Sequence, residues 1–238
     1  MTFVKKTITS FVLIGIVPLV SLGATACSGR SSTPTAETSP SDSSMAQMDH
    51  GSMGSPSESG SMPMNNGSMM NMDLGPADAN FDLRFIDGMT PHHEGAVAMA
   101  QEALQKSNRS EIKQLAQAII DAQEQEISQF KEWRTAWYPN VGDEPMMYNS
   151  EMRQMMPMTG EMRSSMMMEG SLGAADDQFD LRFINAMTVH HKAAIDMAKQ
   201  ALEKSDRSEI KEVAQNIIDS QQQETDQMTQ WKQEWYNQ

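Results

Sequence analysis

The sequence predicts an all-α protein: a four-helix bundle built from two duplicated antiparallel helical hairpins, with a Met-rich connector between them. Three observations carry this. Residues 81–138 and 179–236 align without a gap at an offset of 98, with 34 identities over 58 positions. Within each copy, apolar residues recur at the 4-3-4-3 spacing of one helical face. Each copy is interrupted once, at Ser107-Asn108 and at Ser205-Asp206. One hairpin alone would leave its apolar seam in water, so the copies are expected to pack on each other about a pseudo-twofold axis.

Residues 1–26 read as a secretory signal peptide. Lys5 and Lys6 form its positive end, Phe11 to Val20 its apolar stretch, and Ala24-Thr25-Ala26 a small-residue cleavage site. The apolar run is too short for a stable membrane span. Cys27, the only cysteine, follows directly and can form no internal disulfide. It is either the lipidated first residue of a lipoprotein, with Leu22 to Cys27 as a loose lipobox, or an incidental residue beside an ordinary cleavage site. Membrane attachment is expected only through that lipid anchor. The formal charge is −14, and −16 once the leader and its two lysines are removed. Such a surface repels nucleic acid and attracts cations.

Residues 27–76 are rich in Ser, Gly, Pro, Asn and Met and are expected to be a disordered tether. They hold eight methionines from Met45 to Met72, together with Asp49-His50. Residues 77–138 form the first hairpin repeat, with helices over roughly 78–106 and 109–137. Asp78 and Asp176 suit N-caps. Asn108 with Glu111, and Asp206 with Glu209, have capping-box spacing. Pro91 is expected to kink its helix or to start a fresh one capped by Thr90, although Val189 in the second copy shows that no break is required there. Residues 139–174 are the connector, with ten methionines from Met146 to Met168. Short Met-rich helices over the bundle, or a mobile loop, fit it equally. Residues 175–238 form the second hairpin repeat. Trp133, Trp137 and Tyr138, with Trp231, Trp235 and Tyr236, are expected to close the far ends by core packing, and the charged run from Arg109 to Lys113 to be solvated.

The seams hold polar residues where a plain core would not. Helix one presents Phe85, Met89, His92, Ala96, Met99 and Ala103, and its copy Phe183, Met187, His190, Ala194, Met197 and Ala201. Helix two presents Gln123 and Glu126 among apolar residues, and its copy Gln221 and Glu224. Folding each hairpin at its turn sets His92 level with Gln123 and Met89 level with Glu126, and likewise His190 with Gln221 and Met187 with Glu224. A buried carboxylate needs a partner, and Glu126 is placed to accept a ring N–H from His92 or His93 and so orient a ligand. Adjacent histidines point about 100° apart on a helix, so one lines the seam and the other turns to a neighbouring helix or to solvent. Four of the five histidines lie in the pairs His92-His93 and His190-His191. Imidazole beside thioether favours Cu(I) and, by analogy, Ag(I). Cu(II) could use the His pairs and carboxylates, zinc more usually recruits cysteine, histidine and carboxylate, and a di-iron site needs inward Glu-x-x-His motifs that the repeats lack.

Phe81-Asp82-Leu83-Arg84-Phe85-Ile86, then Met89-Thr90 and His92-His93, Met99-Ala100, Gln123 with Glu126, and Trp133 together resemble the bacterial "domain of unknown function 305" family. The second copy matches through Met187, His190, His191, Met197, Gln221, Glu224 and Trp231. The resemblance implies a ferritin-like four-helix architecture. With the Met-rich tail and connector, the chain is similar to secreted copper-binding members of that family. That similarity implies Cu(I) or Ag(I) bound by Met89, His92, His93 and Met99 and by Met187, His190, His191 and Met197.

The expected function is therefore an extracytoplasmic copper-binding protein, periplasmic or secreted, that sequesters or hands over Cu(I) and contributes to copper tolerance. Its partners would be the metal ion and a copper exporter or another periplasmic copper protein. No nucleophile, cofactor fingerprint or open-site metal triad points to an enzyme. The competing expectation is a structural or interaction bundle whose buried His–Glu pairs are not metal sites.

Overall fold

The structure, a computed structural model, describes residues 72–168 and 170–238. The expected signal peptide, Cys27, and the tether with its methionines and His50, up to residue 71, lie outside the described residues. The described chain is mostly helical, with five helices and one small sheet: α1 (Phe81–Lys106), α2 (Ser110–Trp137), β1 (Met146–Asn149), β2 (Gln154–Pro157), α3 (Gly160–Met167), α4 (Phe179–Lys204) and α5 (Ser208–Tyr236).

α1 packs on α2 and α4 on α5 as two hairpins, and the hairpins meet through α1 and α4. Two core clusters follow from this. One joins Ala96, Met99, Ala100 and Ala103 of α1 to Phe179, Phe183 and Met187 at the start of α4, with Ile112 to Ile120 of α2 and Met228 of α5. The other joins Phe81, Phe85 and Met89 to Met197, Ala198 and Ala201 at the end of α4, with Phe130 of α2 and Ile210 to Ile217 of α5. The beginning of each inner helix thus lies beside the end of the other. The middle of the molecule, between the clusters, falls at the two His-His pairs.

Several local expectations are corrected. The residues flanking α2 and α5 are Arg109 and Arg207, with no side-chain cap, so Asn108 and Asp206 are not caps. Instead Ser107 Oγ and Ser205 Oγ each accept from the backbone N–H two residues on, at 3.1 Å. Asp78 and Asp176 act before the helix proper. Each accepts from the N–H two residues later and from an arginine one turn into the helix, Arg84 at 2.9 Å and Arg182 at 2.8 Å. α1 runs unbroken through Pro91, and Thr90 is no cap, because its hydroxyl donates to Ile86 O at 2.7 Å.

The connector departs from an all-α fold. β1 and β2 pair antiparallel, with Met147 opposite Met156, and α3 follows, capped by Thr159 Oγ1 accepting from Met162 N–H. The ribbon and α3 lie on α1. Asp87 ties them down: its carboxylate accepts from Arg134 Nε at 2.6 Å and from Met146 N–H at 2.7 Å. Arg134 also donates to Gly142 O and Glu144 O, both at 2.9 Å. Arg163 of α3 pairs with Glu94, and Gly95 gives α3 room, since a Cβ there would lie 2.0 Å from Met167 O. The second repeat has Asn185, Val189, Lys192, Ala193 and Lys232 at the positions of Asp87, Pro91, Glu94, Gly95 and Arg134. The copies diverge where only one of them carries the connector.

The expected tether also ends earlier than residue 76. Leu74 is buried, its N–H donates to Gln200 Oε1 at 3.1 Å, and Gln200 Nε2 donates to Met72 O at 2.8 Å. Leu172 repeats this before α4, with its N–H on Glu102. Arg84 donates to Leu74 O and Arg182 to Leu172 O. Gly75 and Gly173 take φ of +83° and +90° at these turns, a backbone conformation that favours glycine.

Candidate metal centre

His92 and His190 meet between α1 and α4, with ring centroids 3.7 Å apart and planes tilted by 44°. Both are fully buried, and neither nitrogen of either ring has a hydrogen-bond partner. Burial is the main cause holding both imidazoles well below the ordinary histidine range; the charges of neighbouring histidines add to it, and at His190 a contact with the His92 backbone opposes it. Both rings are therefore neutral at pH 7, and each keeps one nitrogen lone pair. A buried N–H or lone pair without a partner costs about 1–3 kcal/mol. A ligand that takes the lone pairs offsets that.

His93 and His191 turn the other way, into their own hairpins. His191 Nε2 bonds Glu224 Oε2 at 2.7 Å. His93 Nε2 lies 2.8 Å from Glu126 Oε2 in a less direct alignment that falls short of a well-formed hydrogen bond. In each hairpin the carboxylate fixes which way the ring is turned. Nδ1 of both residues has no hydrogen-bond partner in the protein. The expectation that one of each adjacent pair turns to a neighbouring helix is met, and neither turns to solvent. Glu126 faces His93 rather than Met89. Both carboxylates are 18 % exposed, at the edge of the core. Glu224 also borders a groove of 510 Å³ with Leu115 and Gln223.

Gln123 and Gln221 are buried, each with an unpartnered Oε1. Met89, Met99, Met187 and Met197 are all buried, but they group across the repeats. Met89 shares a cluster with Met197, and Met99 with Met187. Of the expected gathering, the His–Glu pairs lie within each hairpin, while His92 meets His190 between the hairpins. Among the described residues no three His, Cys, Asp or Glu side chains are arranged to hold a metal ion. The copies also differ: Phe130 lies 5.9 Å from the His93 ring, where the second repeat has Met228.

Sequence reasoning missed the arginine clamps and the Asp87 anchor. The first had a signal, since Leu74-Gly75 and Leu172-Gly173 keep the offset of 98 upstream of the aligned repeat.

The "Domain of unknown function (DUF305)" family model matches residues 30–134 and 82–232. The chain belongs to the DUF305 family. Solved structures similar to this DUF305 chain include CopM in its Cu(I)-bound form, at 35% identity over 65% of this chain and 97% of CopM, with a TM-score of 0.51. CopM in the Cu(II)-bound form matches at 35% identity over 65% of this chain and 98% of that one, with a TM-score of 0.52. Its Ag-bound form, obtained by soaking, matches at 35% identity, 65% and 97% coverage, and a TM-score of 0.51. No curated protein matches the chain. Among the described residues, no helix of this DUF305 protein is long and apolar enough to cross a membrane.

Proposed function

We propose that this DUF305 protein binds Cu(I), with Ag(I) as its chemical surrogate, outside the cytoplasm, and that it sequesters or hands over the ion rather than catalysing a reaction. The observation that carries the reading is the pair of neutral, fully buried imidazoles, His92 and His190, facing each other with no hydrogen-bond partner on any ring nitrogen. His93 and His191, beside Glu126 and Glu224, add ring nitrogens Nδ1 that have no hydrogen-bond partner in the protein. Met89, Met99, Met187 and Met197 supply buried thioethers, and Gln123 and Gln221 line the same seam. The penalty for bringing an ion into so dry a site rises with the square of its charge, which favours a monovalent cation over a divalent one. The likeness to CopM, solved with Cu(I), Cu(II) and Ag, supports the same ions here.

In this reading the four long helices are a ferritin-like bundle produced by duplication. A contribution to copper tolerance, and exchange with a copper exporter or another periplasmic copper protein, belong to the same proposal. Titration of the mature chain with Cu(I) under reducing conditions tests it. Tight binding is expected, with the tight component lost on changing His92, His93, His190 and His191 to Ala. Free metal at about a hundred times Kd should stabilise the fold by about 2.7 kcal/mol. Unchanged tight binding in a folded quadruple variant would return these histidines to a structural role.

A further inference from the structure

The connector's methionines are not scattered. Met147 of β1, Met162 and Met166 of α3, and Met72 ahead of α1 line one cavity of 520 Å³. Three separate chain segments thus bring thioethers to one place. Met166 is buried, and the other three are half-buried, so the cavity they line is reached by water. A methionine used only as filler is ordinarily buried and interchangeable with leucine. Asp73 and Glu161 stand at the same cavity, no Lys or Arg lines it, and the protein as a whole is strongly acidic. The local field therefore draws cations in. Without imidazole or thiolate the lining does not suit zinc, while clustered thioethers suit a soft d¹⁰ ion.

A second observation joins this cavity to the core. The Met166 methyl lies 3.7 Å, and Met197 Sδ 4.0 Å, from the point where a side chain on Gly88 would begin. Both methionines border the same glycine of α1, with Leu74 Cδ2 nearer still at 3.5 Å. The second repeat has Ala186 at that position, and it carries no connector.

We propose that this cavity is a thioether site for a soft monovalent cation, Cu(I) or Ag(I), separate from the imidazole centre, and that the ion passes inward by ligand exchange from Met166 to Met197. The passage rests on the Cu(I) reading of the core; the cavity site does not. Thioethers have no proton to lose, so nothing but the ion moves in this exchange.

Silver is the suitable probe because it does not change oxidation state. The mature full-length chain, labelled with ¹³C at the methionine methyls, is titrated with Ag(I) and followed by NMR. The methyl signals of Met72, Met147, Met162 and Met166 are expected to shift, both in the wild type and in a His92→Ala/His190→Ala variant. If they stay fixed while the His92 and His190 ring signals move, the cavity site is overturned and the imidazole centre stands. If they shift while those rings do not, the cavity stands and the core reading fails. A Met72→Leu/Met147→Leu/Met162→Leu variant, nearly volume-conserving, should lose one equivalent of Ag(I) and load the core at least about tenfold more slowly. Unchanged stoichiometry with unchanged loading would also overturn the proposal.

Discussion

His92 and His190 show what duplication does to a single side chain: it supplies the same residue from the other side. Each would be an isolated buried imidazole in its own hairpin, and together they form a facing pair. Their depressed pKa has a consequence for stability. Free histidine titrates near 6.5, and burial holds these two well below that. As pH falls through about 6.5 the unfolded chain takes up protons that the native protein refuses, so stability is full above that pH and is lost below it. The thermal midpoint of the metal-free protein should therefore drop between pH 7 and pH 5. A His92→Leu/His190→Leu variant should show a flatter dependence, and an equally steep one would exclude these residues as the cause. Spacing alone was enough to put both histidines on the seam. It could not say which of two adjacent rings faces the other repeat, because a helix turns about 100° per residue and the register between repeats is set by packing in three dimensions.

At the scale of elements, the connector was the least legible part of the chain. Its methionines, prolines and glycines were plain in the sequence, but the short run Met146–Asn149 has no alternation of apolar and polar residues to announce a strand. What makes it a ribbon is distant: the Asp87 carboxylate and the Arg134 guanidinium, both on long helices, hold its first turn. The long helices were legible to within three residues because their periodicity is strong. Their caps were not, because serines rather than Asn108 and Asp206 fasten the turns. Gly95 offers a clean test of how α3 sits. Gly95→Ala would push a methyl into Met167 O, so α3 should lift from α1 and residues 139–174 should be cleaved faster in limited proteolysis. The reverse change in the uncovered repeat, Ala193→Gly, should cost only about 0.5–1 kcal/mol of stability and leave cleavage unaltered. Equal cleavage of the wild type and Gly95→Ala would show that α3 is held by other contacts.

For the whole molecule, the ends of the bundle are clasped between repeats rather than within them. Trp231 and Trp235 stack at 5.1 Å, and Arg109 of the other hairpin sits 4.2 Å above the Trp235 ring while pairing with Asp180 at 3.3 Å. Arg207, Trp137 and Asp82 repeat the arrangement at the opposite end. The charged run at Arg109, expected to be solvated, is thus part of an interface. The tryptophans, expected to be core, are half-buried platforms for it. Each arginine is 42 % exposed, so its ion pair adds little and the ring contact supplies about 0.5–1 kcal/mol. Arg109→Ala with Arg207→Ala should lower unfolding stability by about 1–2 kcal/mol in denaturant titration, with the two changes additive because they lie at opposite ends. No loss in the double variant would show that the aromatic stacks close the ends by themselves. Equivalent residues of the two repeats make equivalent contacts between the hairpins, and their outer faces differ. Pro91 is buried, lining a small cavity with Pro145 and Arg163 of the connector, while its counterpart Val189 stands 50 % exposed on the bare flank of α4. A symmetric rod looks the same from either flank and gives a visitor no basis for choosing a side. Among the described residues the connector lies on α1 alone, so the two flanks differ and docking on them becomes directional.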